Sequence, residues 1–355
     1  MKNKNKKLKK GSQLNSNNNL IFKKGRKKPK RNFSDIFEEV NILSVISVII
    51  KSIIVIAILI IFIIFLRKNK KSENLKEKNK TITVALCTMG RNENLYINEF
   101  VNHYLSLGVD TLFLYDDNIE EKDKFINVLP KKDSIVIKYT KDYNIKGQHE
   151  AFNHCYSTYK NDFDWFIMID MDEYLVIKNN DTLKGYLTDH VFDKCDFIKL
   201  HWRIPSDNNL LHYENKSLFE RFKRPYYTSN HIKSIIRGHI NNLVYWIHSP
   251  KISPDRNVTC DNIGRILVKK KLNFQSIMHI NTDRAYFVHF FFKSTEEYIN
   301  KYKRGYKNWP HLNMDGRIKN YFKNNKLTIE KVEMFEKAYN ITLDRYRNKL
   351  HIKKF

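Results

Sequence analysis

From Val45 to Leu66 the chain is almost purely Ile, Val, Leu and Phe, and Lys51 is its single charge. A bilayer span takes about 20 mainly apolar residues, so this stretch predicts one transmembrane helix, with Lys51 reaching its ammonium to the headgroups along an aliphatic stem. A buried helix of a water-soluble domain would have to hide the unbroken run Ile53 to Leu66 with no polar face turned outward. Whatever else the chain folds into must be built in water from the segments on either side.

The two sides differ in kind. Residues 1–31 are dominated by Lys, Arg and Asn and contain no acidic side chain, so residues 1–39 are expected to form a basic, disordered arm that cannot assemble a core. The apolar run begins too far from the N-terminus for a cleaved leader. It is also followed by Arg67-Lys68-Asn69-Lys70-Lys71 in place of small residues, so residues 40–66 read as a signal-anchor. Because the arm is more basic than the opposite flank, the positive-inside rule puts the N-terminus in the cytoplasm. The expected topology is single-pass type II, with residues 67–80 as a stem and the remainder in the lumen of the ER or Golgi if the cell is eukaryotic.

Asn180, Asn215, Asn257 and Asn340 each open an N-x-Ser/Thr sequon on that side. The four cysteines, Cys87, Cys155, Cys195 and Cys260, show no metal-ligand spacing and permit three pairings. The formal charge of +26 first suggests a nucleic-acid partner. Its concentration in the arm, and the lack of a reader motif, argue against that partner; the rest of the chain stays basic, in keeping with an anionic substrate, a membrane surface or simple solubility.

After the stem, strand and helix patterns alternate. Residues 81–87 read as a strand, 96–107 as a helix stopped by Gly108, 111–115 and 134–139 as strands, and 148–159 as a helix. Trp165 to Ile169 then reads as a buried strand of β-branched and aromatic residues. This alternation predicts an α/β domain with a mostly parallel sheet and helices on both faces, whose ligands bind beyond the carboxyl ends of the strands. Polar clusters at 91–94, 116–118 and 170–173 fall at such ends. From Phe197 the pattern is irregular, with short strands at 197–201 and 285–292, a helix at 296–303 and one or two amphipathic helices within 321–346. Only 10 glycines and no Gly-rich phosphate loop argue against a P-loop or dinucleotide fingerprint.

The buried strand ends in Asp170-Met171-Asp172-Glu173. Side chains alternate along an extended chain, so Asp170 and Asp172 can point the same way. Two convergent carboxylates suit Mn²⁺ or Mg²⁺, which can in turn hold a diphosphate. An Asp-x-Asp tripeptide is equally the acidic turn that follows a core strand.

Taken in order, Arg91-Asn92-Glu93-Asn94, Glu99 to Asp110, Tyr115 to Asn118, Gln148 to Cys155, Asp164 to Leu175, His289 to Ser294 and Lys303-Arg304-Gly305 resemble glycosyltransferase family 92 and its family 2-like relatives. The resemblance spans residues 81–306. It implies a GT-A, Rossmann-like domain over 81–310 followed by a helical extension over 311–355. It also implies a nucleotide-sugar donor, a glycan or glycoconjugate acceptor, and a divalent metal on the Asp-x-Asp carboxylates. Asp170 and Asp172 carry over as metal ligands, either one being open to a contact with the donor ribose. Asn92 and Glu93 match the nucleoside loop after the first strand, and Asp116, Asp117 and Gln148 stand on the donor side. Glu93 reads equally as a helix-start carboxylate, and Asp116 to Asn118 as ordinary turn chemistry.

His289, between Val288 and Phe290, reads either as a core histidine or, following the resemblance, as a third metal ligand. Lys293 and Arg304 are candidates for neutralising the diphosphate, or else surface charge. Trp202 and Tyr213 are candidates for stacking on a sugar ring, or else core residues. Inversion at the anomeric carbon needs a base, for which Asp207, Glu220 and Glu173 are the candidates, Glu173 being also a possible orienter of the aspartates. The expected function is membrane-anchored hexosyl transfer, inverting and metal-dependent. The alternative is an inactive glycan-binding or scaffold protein on a degenerate transferase fold.

Overall fold

The computed structural model describes residues 42–78, 82–179, 181–223, 226–251, 258–267, 281–304 and 313–351. The basic arm 1–39, with the disorder expected of it, lies outside these residues, as do the sequon residues Asn180 and Asn257. Helix α1, Ile42–Lys78, contains the apolar stretch Val45–Lys68, which is long enough to cross a bilayer and buries none of its length within the protein. As far as Lys78 the expected stem is helical. No proline or glycine interrupts Arg67 to Lys78, and the helix runs on through it.

Residues 76–355 form a compact unit of their own. Its first part follows the expected alternation: β1 Val84–Gly90, α2 Ile97–Leu107, β2 Thr111–Asp116, β3 Ile135–Tyr139, α3 Gln148–Tyr159 and β4 Trp165–Met168. These strands pair in parallel in the order β3-β2-β1-β4. Helix α2 buries Ile97, Phe100, Val101 and Tyr104 on one face of the sheet. It stops at Gly108, whose φ of 96° suits a residue without a Cβ. Helix α3 buries Ala151, Phe152, Cys155 and Tyr156 against the other face, so helices cover both.

The later elements are β5 Glu173–Ile177, α4 Leu183–Leu187, β6 Phe197–Pro205, α5 Leu218–Arg221, β7 Tyr226–Arg237, the hairpin β8 Val244–Tyr245 and β9 Pro250–Lys251, β10 Thr259–Cys260 and β11 Ala285–His289. Helices α6 Thr295–Lys303, α7 Met314–Asn324, α8 Ile329–Tyr339 and α9 Asp344–His351 follow. The sheet continues from β4 as β7-β6-β11-β5, with β10 beside β6. Strand β7 is antiparallel to β4 and β6, and β11 is parallel to β6 and antiparallel to β5. The C-terminal region holds three helices where one or two were expected. Thr328 caps the start of α8, and Asn340, at φ 51°, ends it.

Strands β4 and β5 are neighbours in sequence but have β7, β6 and β11 between them in the sheet. In a flat sheet, four spacings of about 4.8 Å would separate them by roughly 19 Å. The chain from Met168 to Glu173 reaches only about 17 Å when fully extended. The sheet must therefore curl, and Ile169 to Asp172 forms the seam where its two halves meet.

Two disulfides settle the cysteine pairing: Cys87–Cys155 ties β1 to α3, and Cys195–Cys260 ties the entry of β6 to β10. Each closes a long loop, a restriction of the unfolded chain worth roughly 4 kcal/mol in the chain-entropy account.

Candidate active site

Three loops meet at the carboxyl ends of β1, β2 and β4. After β1, Asn92 adopts φ 55° and its amide donates to Asn118 Oδ1 at 2.7 Å, while Arg91 ion-pairs with Asp117. Asp116 accepts the amides of Asn118 at 2.9 Å and Phe125 at 2.7 Å, and Asp117 accepts from Thr140 Oγ1 at 2.7 Å. Both aspartates thus brace the loop, as turn chemistry would have them do.

Glu93 is buried. Its Oε1 lies 2.6 Å from Arg304 and its Oε2 lies 3.3 Å from Lys293. Burial raises its pKa, but Lys293 and Arg304 outweigh that and hold it below the ordinary carboxylate value. Lys293 reaches it from a backbone at φ 53°, an unfavourable conformation for a long side chain, and its ammonium sits 3.7 Å over the Tyr96 ring. Arg304 also donates to the carbonyls of Arg91 and Asn92, at 2.9 and 3.1 Å. Lys293 and Arg304 are therefore built into the Glu93 loop and are not free surface charge.

In the seam, Asp170 accepts from Gln148 and from Lys233 Nζ, the latter at 2.8 Å. Asp172 Oδ2 takes Lys301 Nζ at 2.6 Å, and its Oδ1 lies 3.5 Å from His289 Nε2. Burial raises the pKa of Asp172, yet Lys301 and His289 hold it well below the usual range. Glu173 is fully buried, accepts the Asp170 amide at 3.2 Å and lies 3.6 Å from Lys233. Burial pushes its carboxyl well above the ordinary value. His289 stands directly opposite Glu173 in the β11–β5 register, which is how a residue so late in the chain enters the seam.

Sequence reasoning misses Lys233 and Lys301. Lys233 carries a signal in retrospect, a lone lysine inside the apolar strand Ile232-Lys233-Ser234-Ile235-Ile236. Lys301 carries none beyond its place on α6.

Two of the candidate bases make their bonds elsewhere. Asp207 Oδ2 lies 2.5 Å from both Tyr321 Oη and Lys331 Nζ, so it locks α7 and α8 onto the unit. Glu220 closes a capping box with Ser217 at the start of α5. Tyr213 packs against Tyr96, with the Arg221 guanidinium 4.9 Å over its ring. Trp202 is buried with its face against His231, the rings 5.3 Å apart at 11°, and its ring centre lies 4.4 Å from that of His289, the planes crossing at 67°.

Among the described residues no three His, Cys, Asp or Glu side chains form a metal cage. A partial fit exists at Asp172 and His289. His289 Nδ1 is buried without a hydrogen-bond partner 3.9 Å from Glu173 Oε1, which also has none. A carboxylate behind the imidazole is how a metal-bound histidine fixes its tautomer. One or two protein ligands suffice for a cation of this kind when water and phosphate oxygens complete its shell.

The profile of glycosyltransferase family 92 matches residues 80–334. A glycosyltransferase family 92 protein of Oryza sativa subsp. japonica is 28% identical over 112 residues, 31% of this chain and 19% of that protein. A protein of the same family from Ricinus communis is 29% identical over 92 residues, and one from Arabidopsis thaliana 28% over a stretch of equal length, each stretch covering 26% of this chain and 16% of the relative. The aligned stretches thus span under a fifth of each relative, whereas the family profile covers most of this chain. By that match, over the α/β domain that carries both groups of charged residues, the chain belongs to glycosyltransferase family 92.

Proposed function

We propose that this protein transfers a hexose from a nucleotide diphosphate sugar to a glycan hydroxyl, with inversion, on the lumenal side of the membrane that α1 anchors it to. One observation carries the reading. The Glu93–Lys293–Arg304 group and the Asp170–Asp172–Lys233–Lys301 group lie together at the carboxyl ends of the parallel strands, where sheets of this class bind ligands. The charge of Lys293 is among those that lower the pKa of Asp172 against its burial, which links the two groups electrostatically.

In this reading Asn92 and Glu93 receive the nucleoside, and Lys293, Lys301 and Arg304 offset the charge gathering on the departing diphosphate. Asp172 and His289, with Asp170 beside them, would hold Mn²⁺ or Mg²⁺, whose contribution when bound is further neutralisation of the diphosphate. Glu173 and Lys233 position Asp170 from behind. Asp207, Glu220 and Glu173 are committed to their own bonds, so none of the three takes the acceptor proton in this reading. Lumenal placement draws support from both disulfides, which persist in oxidising compartments, and from the exposed sequon residues Asn215 and Asn340.

The test is a donor screen on full-length protein in detergent, with Mn²⁺ and a panel of nucleotide diphosphate sugars, read out by nucleotide release with and without EDTA. Turnover of one donor that EDTA abolishes is expected. Release no faster than the buffer blank, from protein that melts cooperatively, would overturn the reading.

A further inference from the structure

The register between β6 and β7 breaks at Trp202. Arg203 pairs with Thr228 and His201 with Ile232, so Ser229, Asn230 and His231 stand opposite Trp202 alone. Extra residues of this kind bend a strand and re-aim its side chains, and they are over-represented beside active sites. Here the break lays the His231 ring over Trp202, the planes at 11°, on a residue that is otherwise exposed. Ser229 Oγ accepts the His231 amide at 3.1 Å and lies 2.9 Å from His231 Nδ1. The ring plane and Nδ1 are thus both held, while Nε2 has no hydrogen bond or ion pair among the described residues.

The two oxygens of Asp172 lead in different directions. Lys301, one of the cations assigned to the diphosphate, takes Oδ2, whereas His289 faces Oδ1. From His289 the contacts pass to Trp202, with ring centres 4.4 Å apart, and from Trp202 to His231 at 5.3 Å. These three side chains sit on β11, β6 and β7, adjacent strands of the sheet, so two spacings, roughly 10 Å, separate the strands that carry His289 and His231. Lys293, Lys301 and Arg304 reach the seam instead from α6 and its flanks. His248 also meets Trp202, with ring centres 5.3 Å apart, but its Nδ1 is buried without a partner, where an incoming hydroxyl does not reach.

We infer that His231 is the base of the reaction, its Nε2 taking the proton of the acceptor hydroxyl as that oxygen bonds to C1 of the hexose. The bond from C1 to the diphosphate oxygen breaks on the opposite side, its electron pair leaves with the diphosphate, and the imidazolium then returns the proton to solvent. Ser229 Oγ accepts from Nδ1–H, which keeps the lone pair on Nε2, and an imidazole is largely neutral at neutral pH, as a base must be. The inference rests on the transferase reading above and supplies the base that Asp207, Glu220 and Glu173, held by their own bonds, do not.

The test uses the full chain in a detergent without a sugar headgroup. Donors are uridine and guanosine diphosphate hexoses, and acceptors are methyl β-D-galactopyranoside, methyl β-D-glucopyranoside and methyl α-D-mannopyranoside. Transfer is read with Mn²⁺ as nucleotide release in excess of that without glycoside. Donor-side binding is read separately, with Mg²⁺, by saturation-transfer NMR of uridine and guanosine diphosphate. His231→Ala should lower the transfer rate by about 10²-fold or more and keep nucleotide binding within about twofold. Imidazole added to the buffer should restore part of the lost rate without speeding the wild type, which a purely structural role would not allow. Ser229→Ala, which frees the ring without removing it, should cost less than His231→Ala. Wild-type transfer by His231→Ala overturns the base and leaves the transferase reading standing. So does a loss that imidazole does not restore, or one shared with nucleotide binding. A wild type that releases nucleotide from no donor sinks the transferase reading and the base with it; one that releases it without regard to glycoside sinks the base alone.

Discussion

Strands β3, β2, β1 and β4 come from one stretch of chain and pair in parallel, whereas β7, β6, β11 and β5 are gathered from residues 173–289 and pair mostly against one another. The chemistry divides along the same line. The first half brings Glu93, Asp170 and Asp172, while the second half and the chain after it bring Lys233, His289, Lys293, Lys301 and Arg304. Buried carboxylates are costly without partners. The regular half therefore depends on the irregular one for the charges that make its loops tolerable, and the candidate site is the joint between them.

The sharpest way to break this picture is to remove the cation shared across the joint. Lys233→Met leaves Asp170 and the buried Glu173 without their ammonium, and is expected to cost about 3 kcal/mol or more of stability, read from the urea midpoint. An unchanged midpoint would mean that the two halves do not need each other electrostatically. Next in size is Asp172→Asn, which removes charge at nearly constant volume. Sugar transfer should fall on the order of 10²-fold in kcat/KM, and the melting temperature should drop as well, because Lys301 loses its buried counter-charge. Full turnover in that variant would take the seam out of the chemistry.

Lys199 tests the reverse case, a charge on the later half without a counterpart. It is buried on β6 with no hydrogen bond or ion pair among the described residues, and burial alone pulls its ammonium down to about 8. An unfolded lysine titrates near 10.4, so between about pH 8 and 10.4 the unfolded chain binds more protons and stability rises with pH; below about 8 the full cost of the buried charge is present. Lys199→Met should therefore stabilise the protein at pH 7, by up to about 3 kcal/mol, and flatten that alkaline rise. No gain at pH 7 would show that the amine finds a partner in solution. The smallest effect is expected at Ser294, whose capping box with Glu297 starts α6, the helix that delivers Lys301. Ser294→Ala should cost about 1 kcal/mol by thermal denaturation. A larger loss, shared with Lys301→Met in a double-mutant cycle, would tie the cap directly to Asp172.

The parallel half was legible because its signals are local. Strand periods, the Gly108 stop and carboxylates at strand ends can each be read within a dozen residues. The second half was not, since its strands are defined by distant partners. Strand β7 gains its identity by lying between β4 and β6, and β5 forms because β11 comes back to pair with it. Cysteine pairing is hidden for the same reason. Asp207 reads as a candidate base in the sequence because the residues that claim it, Tyr321 and Lys331, come far later in the chain. His289 entered through family resemblance. Nothing in Val288-His289-Phe290 alone says that it faces Glu173.

The seam between β4 and β5 also sets a timetable for biogenesis. Strand β5 pairs with β11, so Ile169 to Asp172 cannot take its final course until residues 285–289 have emerged and joined the sheet. A nascent chain that has completed β4 owns both aspartates but not their geometry. It also presents an open sheet edge, the kind of surface that chaperones cover. Competence would then arrive in one late step, and truncated or stalled molecules would carry both aspartates without the site that gives them work.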